Sequence, residues 1–134
     1  MLSYVILGAN DMKASDRFYT ALLEPLGYEK LDDNGGLAFT LAEVADRYNG
    51  PGAIYIKPPF DGKPATVGNG SMIAFRTRSH GIVRQLHAAA VAAGGTDEGQ
   101  PGFRAEYSKT FFVAYLRDPL GNKIALFCSE SPQA

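Results

Sequence analysis

One cysteine, two histidines and almost no net charge leave several classes of function without material. With Cys128 alone there is no intramolecular disulfide framework, and a reducing cytoplasm is the expected compartment. Cys128 has no evident histidine partner and reads as a half-buried thiol at a strand end rather than a nucleophile. His80 and His87 fall in one predicted helix, roughly 10 Å apart along its axis. That is too far to hold one ion, and both read as solvated or rim residues. Thirteen basic residues against fourteen acidic ones give a net charge of −1 with no basic cluster. Neither nucleic acid nor an anionic membrane is therefore an expected partner. No apolar run approaches the roughly 18 residues of a membrane span. The opening Met1-Leu2-Ser3-Tyr4-Val5 lacks a basic leader and begins a strand, so no signal peptide is expected. There is no Ser-His-Asp arrangement. Gly68-Asn69-Gly70 reads as a turn, not a phosphate cradle, because no helix start follows it. No cofactor is expected.

What remains is an ordinary globular composition, 46% apolar and 20% charged over 134 residues, which suits one domain with a real core. Residues 2–7 form a short apolar run ending at Gly8, read as a buried strand. Asn10 and Asp11 are N-cap candidates for a helix over 12–24, whose apolar stripe is Phe18, Leu22 and Leu26 with Tyr19 and Leu23. Strands are predicted at 28–31 and 37–41 around the hairpin turn Asn34-Gly35, and again at 53–57. Residues 42–48 have the pattern of a single helical turn. The Pro- and Gly-rich stretch 58–69 reads as a linker. The order then repeats: a strand at 72–76, a helix over 80–93 capped by Ser79, an edge strand near 96–99, and a hairpin of 111–117 with 122–128. The second helix is expected to bury Ile82, Leu86, Ala89, Ala90 and Ala93. Asp118-Pro119 starts the last turn and Gly121 suits positive φ.

The ordered pieces resemble the vicinal oxygen chelate superfamily of glyoxalase I, extradiol dioxygenases, fosfomycin resistance enzymes and bleomycin resistance proteins. Those pieces are Leu7-Gly8 before the Asp11 helix with Phe18-Tyr19, Pro58-Pro59-Phe60-Asp61-Gly62 with Gly68-Asn69-Gly70, Ala93-Gly94-Gly95, and Asp118-Pro119-Leu120-Gly121-Asn122-Lys123-Ile124. The set is most similar to a bacterial glyoxalase/bleomycin-resistance-like branch. The resemblance implies an α+β fold spanning 1–134 as a single domain. Two βαβββ modules, near 1–57 and 70–128, form a curved mixed sheet around a cleft, with one helix per module on the outside. It also implies a homodimer. In metal-using relatives the ligands would stand at Tyr4, at Met72, at Ala125 and near residues 54–56. A divalent metal needs about three N, O or S donors. Tyrosine and methionine are poor ligands and alanine is none, so no metal is expected.

Strand alternation then predicts the cleft wall. Ala125 facing inward brings Lys123 and Phe127 with it and sends Ile124 and Leu126 to the helix. Tyr4, Met72 and Arg76 face the same cleft, as do Tyr115 and Phe111; Phe39 and Tyr55 are assigned there too, and Tyr107 at the rim. Rings would stack on a planar ligand, and Arg76 and Lys123 would pair with an anion. The same rings could instead fill a core. The expected function is a metal-independent small-molecule binding protein for an aromatic or anionic ligand. The alternatives are a lyase or dioxygenase-like metalloenzyme with divergent ligands, and a non-catalytic dimeric interaction protein. A metal-free enzyme would use Tyr115 or Tyr4 as acid, with Lys123 lowering the phenol pKa and Glu106 as base.

Overall fold

The computed structural model describes residues 1–130. The Asp11 side chain accepts a hydrogen bond from Ala14 N (3.0 Å) and starts α1 (Met12–Leu23). Pro25 closes that helix into a short 3₁₀ turn, Glu24–Leu26, and Gly27 turns out of it at φ 95°. The expected α-helical end at residue 24 is thus a tighter turn. The strand β1 (Tyr4–Gly8) precedes α1, and β2 (Tyr28–Asp33), β3 (Gly36–Leu41) and β4 (Ala53–Lys57) follow it. Asn34 and Gly35, with φ of 49° and 91°, make the tight turn that holds β2 and β3 in register from Tyr28↔Leu41 to Asp33↔Gly36. Residues 42–48 do not form the expected helical turn. They run as successive turns, because Arg47 reaches back to Thr40 Oγ1 (2.9 Å) and to Glu29.

The second half repeats the order with β5 (Ile73–Arg76), α2 (His80–Ala92), β6 (Thr96–Phe103), β7 (Phe112–Arg117) and β8 (Lys123–Cys128). Each half carries a four-stranded mixed sheet, ordered β1-β4-β3-β2 and β5-β8-β7-β6, with the first pair parallel and the others antiparallel. The fold is α+β with two βαβββ modules. Ser79 caps α2 through Ile82 N (3.1 Å). The buried side of α2 is Val83, Leu86, His87 and Ala90, not the stripe through Ala89, which is exposed. The spacing i, i+3, i+4, i+7 holds, with its phase set by His87. The edge strand β6 runs on to Phe103, with irregular pairing between Asp97 and Gly102.

One core joins both halves. Phe18, Tyr19 and Leu22 of α1 meet Val83, Leu86 and Ala90 of α2, between the helix-facing sides of both sheets. The last turn clasps the two modules. Asp118 Oδ1 accepts from the backbone N–H groups of Leu120, Gly121 and Asn122 (2.8–3.0 Å). Its Oδ2 accepts from Tyr19 O–H (2.6 Å) and from Asn122 Nδ2 (2.9 Å), and Asn122 Nδ2 also reaches Gly8 O (3.3 Å). The Asp-Pro-Leu-Gly-Asn turn is therefore a fastening between the β7–β8 hairpin and the first module. Asn10 fastens the linker in the same way, through Ala65 N (2.6 Å) and Ala65 O (3.1 Å).

Candidate functional site

Residues paired across neighbouring strands point to one side of a sheet, so the register defines the two faces away from the helices. On the first sheet one row reads Ile6, Tyr55, Ala38, Leu31. On the second the corresponding row reads Ala74, Ala125, Tyr115, Gly99. Both rows carry a tyrosine beside an alanine, but on exchanged strands. Gly99 is needed under Tyr115, because a Cβ there would lie 2.9 Å from the ring.

The predicted wall residues fall into two groups. On the first sheet Tyr4 and Tyr55 meet edge to face, with ring centroids 5.6 Å apart. Tyr4 is 46% exposed, and Tyr55 donates its O–H to the Tyr48 carbonyl. On the second sheet Phe111 lies 5.4 Å from Phe127, and Tyr107 at the exposed end of the row lies 5.8 Å from Phe111. Arg76 Cζ stands 4.8 Å from the centre of the Phe127 ring, and Lys123 Nζ stands 5.1 Å from that of Tyr115. Met72 lies just before β5 and is exposed. Phe39 corrects the assignment made for it. It is fully buried and packs on Tyr19 of α1, because its register partner Ile54 faces the helix while Ala38 shares the open side with Tyr55. The alternation around Ala125 holds, with Ile124 and Leu126 in the core and Lys123 and Phe127 half-buried on the other side.

Arg104 was missed. It stands 5.7 Å from the centre of the Tyr115 ring, held by the carbonyls of Gln100 (3.0 Å) and Phe103 (3.2 Å). Nothing periodic in the sequence marks it, since the irregular end of β6 aims it.

Burial raises the Tyr115 phenol above its ordinary value, with Tyr107 and Glu106 adding and Arg104 opposing. The shift is upward although Lys123 lies over the ring, opposite to the lowered phenol expected of a Lys123-assisted acid. Tyr55 is likewise raised, first by burial and then by Asp33. Glu106 stays exposed in the loop before β7.

The histidines also differ from expectation. His87 is buried and its Nε2 lies 3.0 Å from Asp97 Oδ1. His80 stacks on Phe112 at 4.4 Å and meets Phe103 edge to face. They tie α2 to β6 and β7.

The positions at which the resemblance would put metal ligands do not suit a divalent ion. Tyr4 offers a phenol, Met72 a thioether, and buried Ala125 nothing. Among the described residues, no group of three His, Cys, Asp or Glu side chains gathers to hold an ion. Nor is any helix among them long and apolar enough to cross a membrane.

A pocket of about 170 Å³ opens between the sheets, lined by Tyr4, Tyr28, Ala74 and Phe75 among others. A depression of about 430 Å³ under the linker is bordered by Ile6, Lys57 and the outward-turned Phe60, and by none of the predicted ligand residues. Its lysine already pairs with Asp33 (3.1 Å).

No family model matches the chain, and no curated protein matches it. Solved structures do. A glyoxalase/bleomycin resistance protein from Albidiferax ferrireducens T118 is 38% identical, with 96% of this chain and 98% of that one covered and a TM-score of 0.81. A glyoxalase-related enzyme from Fulvimarina pelagi shares the fold at 19% identity, with 96% and 87% covered and a TM-score of 0.71. So does a glyoxalase/bleomycin resistance protein/dioxygenase family enzyme from Burkholderia phytofirmans PsJN, at 17% identity, 96% and 98% coverage and a TM-score of 0.68.

Proposed function

The chain belongs to the glyoxalase/bleomycin resistance protein family, and on that premise we propose that it binds a small molecule without a metal ion. The observation that carries this reading is that tyrosine, methionine and alanine stand at Tyr4, Met72 and Ala125, where the family resemblance would put metal ligands. In place of an ion, the sheet faces carry rings with cations set over them. Such faces hold a ligand by stacking and by charge, and they ask no proton transfer of the protein. The raised phenol of Tyr115 fits a neutral ring wall and hydrogen-bond donor.

We further propose that a second copy completes the site. Leu2, Tyr4, Ile6 and Met72 are each about half exposed or more, an unusual use of large apolar side chains unless something covers them. The single, buried Cys128 supports a cytoplasmic location.

Two measurements test the reading. Metal content by mass spectrometry on untagged protein is expected to be far below one equivalent, with no thermal stabilisation by nickel, manganese, iron or zinc. A screen of neutral, anionic and cationic aromatic compounds by thermal shift is expected to yield binders. A stoichiometric metal would overturn metal independence, and a screen without any binder would overturn ligand binding. Light scattering should give the mass of a dimer; a monomer at all concentrations would remove the second copy.

A further inference from the structure

We infer that the open face of the second sheet takes an anion carried on a flat aromatic body, an aromatic carboxylate in the simplest case. This deepens, and rests on, the reading of the protein as a metal-free binder. The argument begins with charge. On the first sheet, cations are matched: Lys57 pairs with Asp33 (3.1 Å), and Arg47 pairs with Glu29. On the second, Arg117 pairs with Glu98 (2.6 Å), but among the described residues neither Arg76 nor Lys123 has a carboxylate within ion-pair distance. They lie instead over Phe127 and Tyr115. Glu106 is the carboxylate whose charge acts on Tyr115, and Arg104 opposes it there. The excess of positive charge is local, since the whole chain carries a net charge of −1.

Geometry then sets the shape of the anion. Lys123 and Phe127 lie on one face of β8, roughly 13 Å apart at the usual strand rise. Between them Ala125, covered by its neighbours, pairs with Ala74 of the edge strand β5, which is exposed. A planar ring can lie over Ala74, beside the half-buried Phe127, with its anion toward Lys123 or Arg76. Ser129 Oγ accepts from Arg76 Nη1 (2.7 Å), which steadies the guanidinium and leaves its other N–H groups for a ligand. On the first sheet the larger Ile6 and Tyr55 stand where Ala74 and Ala125 stand on the second.

The test is isothermal titration of 1-naphthoate, 1-naphthamide and 1-naphthylmethylamine into the wild-type protein and into Arg76→Gln, Lys123→Gln and Lys57→Gln. The carboxylate is expected to bind about tenfold tighter than the amide, as one charge-assisted contact implies. Arg76→Gln or Lys123→Gln should remove most of that preference while sparing the amide, and Lys57→Gln should leave it intact. Equal binding of carboxylate and amide, tighter binding of the amine, or a preference that survives both substitutions would overturn the anion while leaving small-molecule binding standing. Failure of all three probes would also overturn it, and the wider screen described above would then decide on binding itself.

Discussion

The two sheets share strand order, pairing pattern and a helix on one side, yet their open faces are built differently. In the first, Tyr55 on the inner strand β4 and Ile6 on β1 fill the middle, and the cations are neutralised by Asp33 and Glu29. In the second, the tyrosine stands on the other inner strand, β7, alanines occupy β5 and β8, and Arg76 and Lys123 rest on rings. The hairpins differ as well. A tight Asn34-Gly35 turn keeps β2 and β3 in strict register, whereas the irregular β6 lifts Arg104 over Tyr115. A repeated frame thus carries one face whose cations are paired with carboxylates and one whose cations lie over rings. The frame is indifferent to which residues project outward, because the helix-facing set alone makes the common core.

The sharpest way to break this picture is to test packed side against open side within one module. Phe39→Ala should lower unfolding stability by about 3–5 kcal/mol in urea titration. Tyr55→Ala, on the neighbouring strand but the other face, should lose about 1 kcal/mol. Equal losses would mean that the first open face is itself core. Next come the two turns. Asp118→Ala strips acceptors from Tyr19 and the last turn and should lose about 2–4 kcal/mol. Asp33→Ala, at the first hairpin, should stay below about 1 kcal/mol.

A pH measurement sharpens the same contrast. Burial, then the Asp118 carboxylate, holds the Tyr19 phenol well above its ordinary value. Above about pH 10 the unfolded chain loses this proton while the folded chain keeps it. Stability is therefore complete below that pH and falls as pH rises beyond it. Tyr19→Phe should flatten the alkaline slope in urea titrations between neutral and strongly basic pH, leaving the contributions of Tyr28, Tyr55 and Tyr115. An unchanged slope would remove the clasp between the modules as its cause. The smallest effects are expected from the open-face cations. Lys57→Gln and Lys123→Gln should each change stability by no more than about 0.5 kcal/mol by urea titration. A large loss from Lys123→Gln would make that lysine a structural residue.

Much of the fold was legible in the residues. The caps at Asp11 and Ser79, the Asn34-Gly35 turn and the Asp118-to-Gly121 turn stand where local chemistry puts them. Period-2 alternation correctly split β8 into Ile124 and Leu126 against Lys123 and Phe127. Phe39 was misassigned because Leu37-Ala38-Phe39 is an unbroken apolar run in a strand buried on both faces, and alternation has no contrast to read there; only the pairing of Ala38 with Tyr55 sets its phase. His87 was misread because its partner Asp97 lies on another element, and a buried histidine is indistinguishable from an exposed one without that partner. Arg104 had no local signal at all.

The sequence by itself determined the βαβββ order, its repetition, the positions of the turns and the lack of a strong metal donor at Tyr4, Met72 and Ala125. These depend on nearest-neighbour backbone preferences and on the identity of single side chains. Only the tertiary structure decided which strand carries the tyrosine beside each alanine, which cations find a carboxylate, and that Asp118 fastens the second module to Tyr19 of the first. Those are relations between residues distant in the chain, and no pattern within a strand or helix encodes the partner on another.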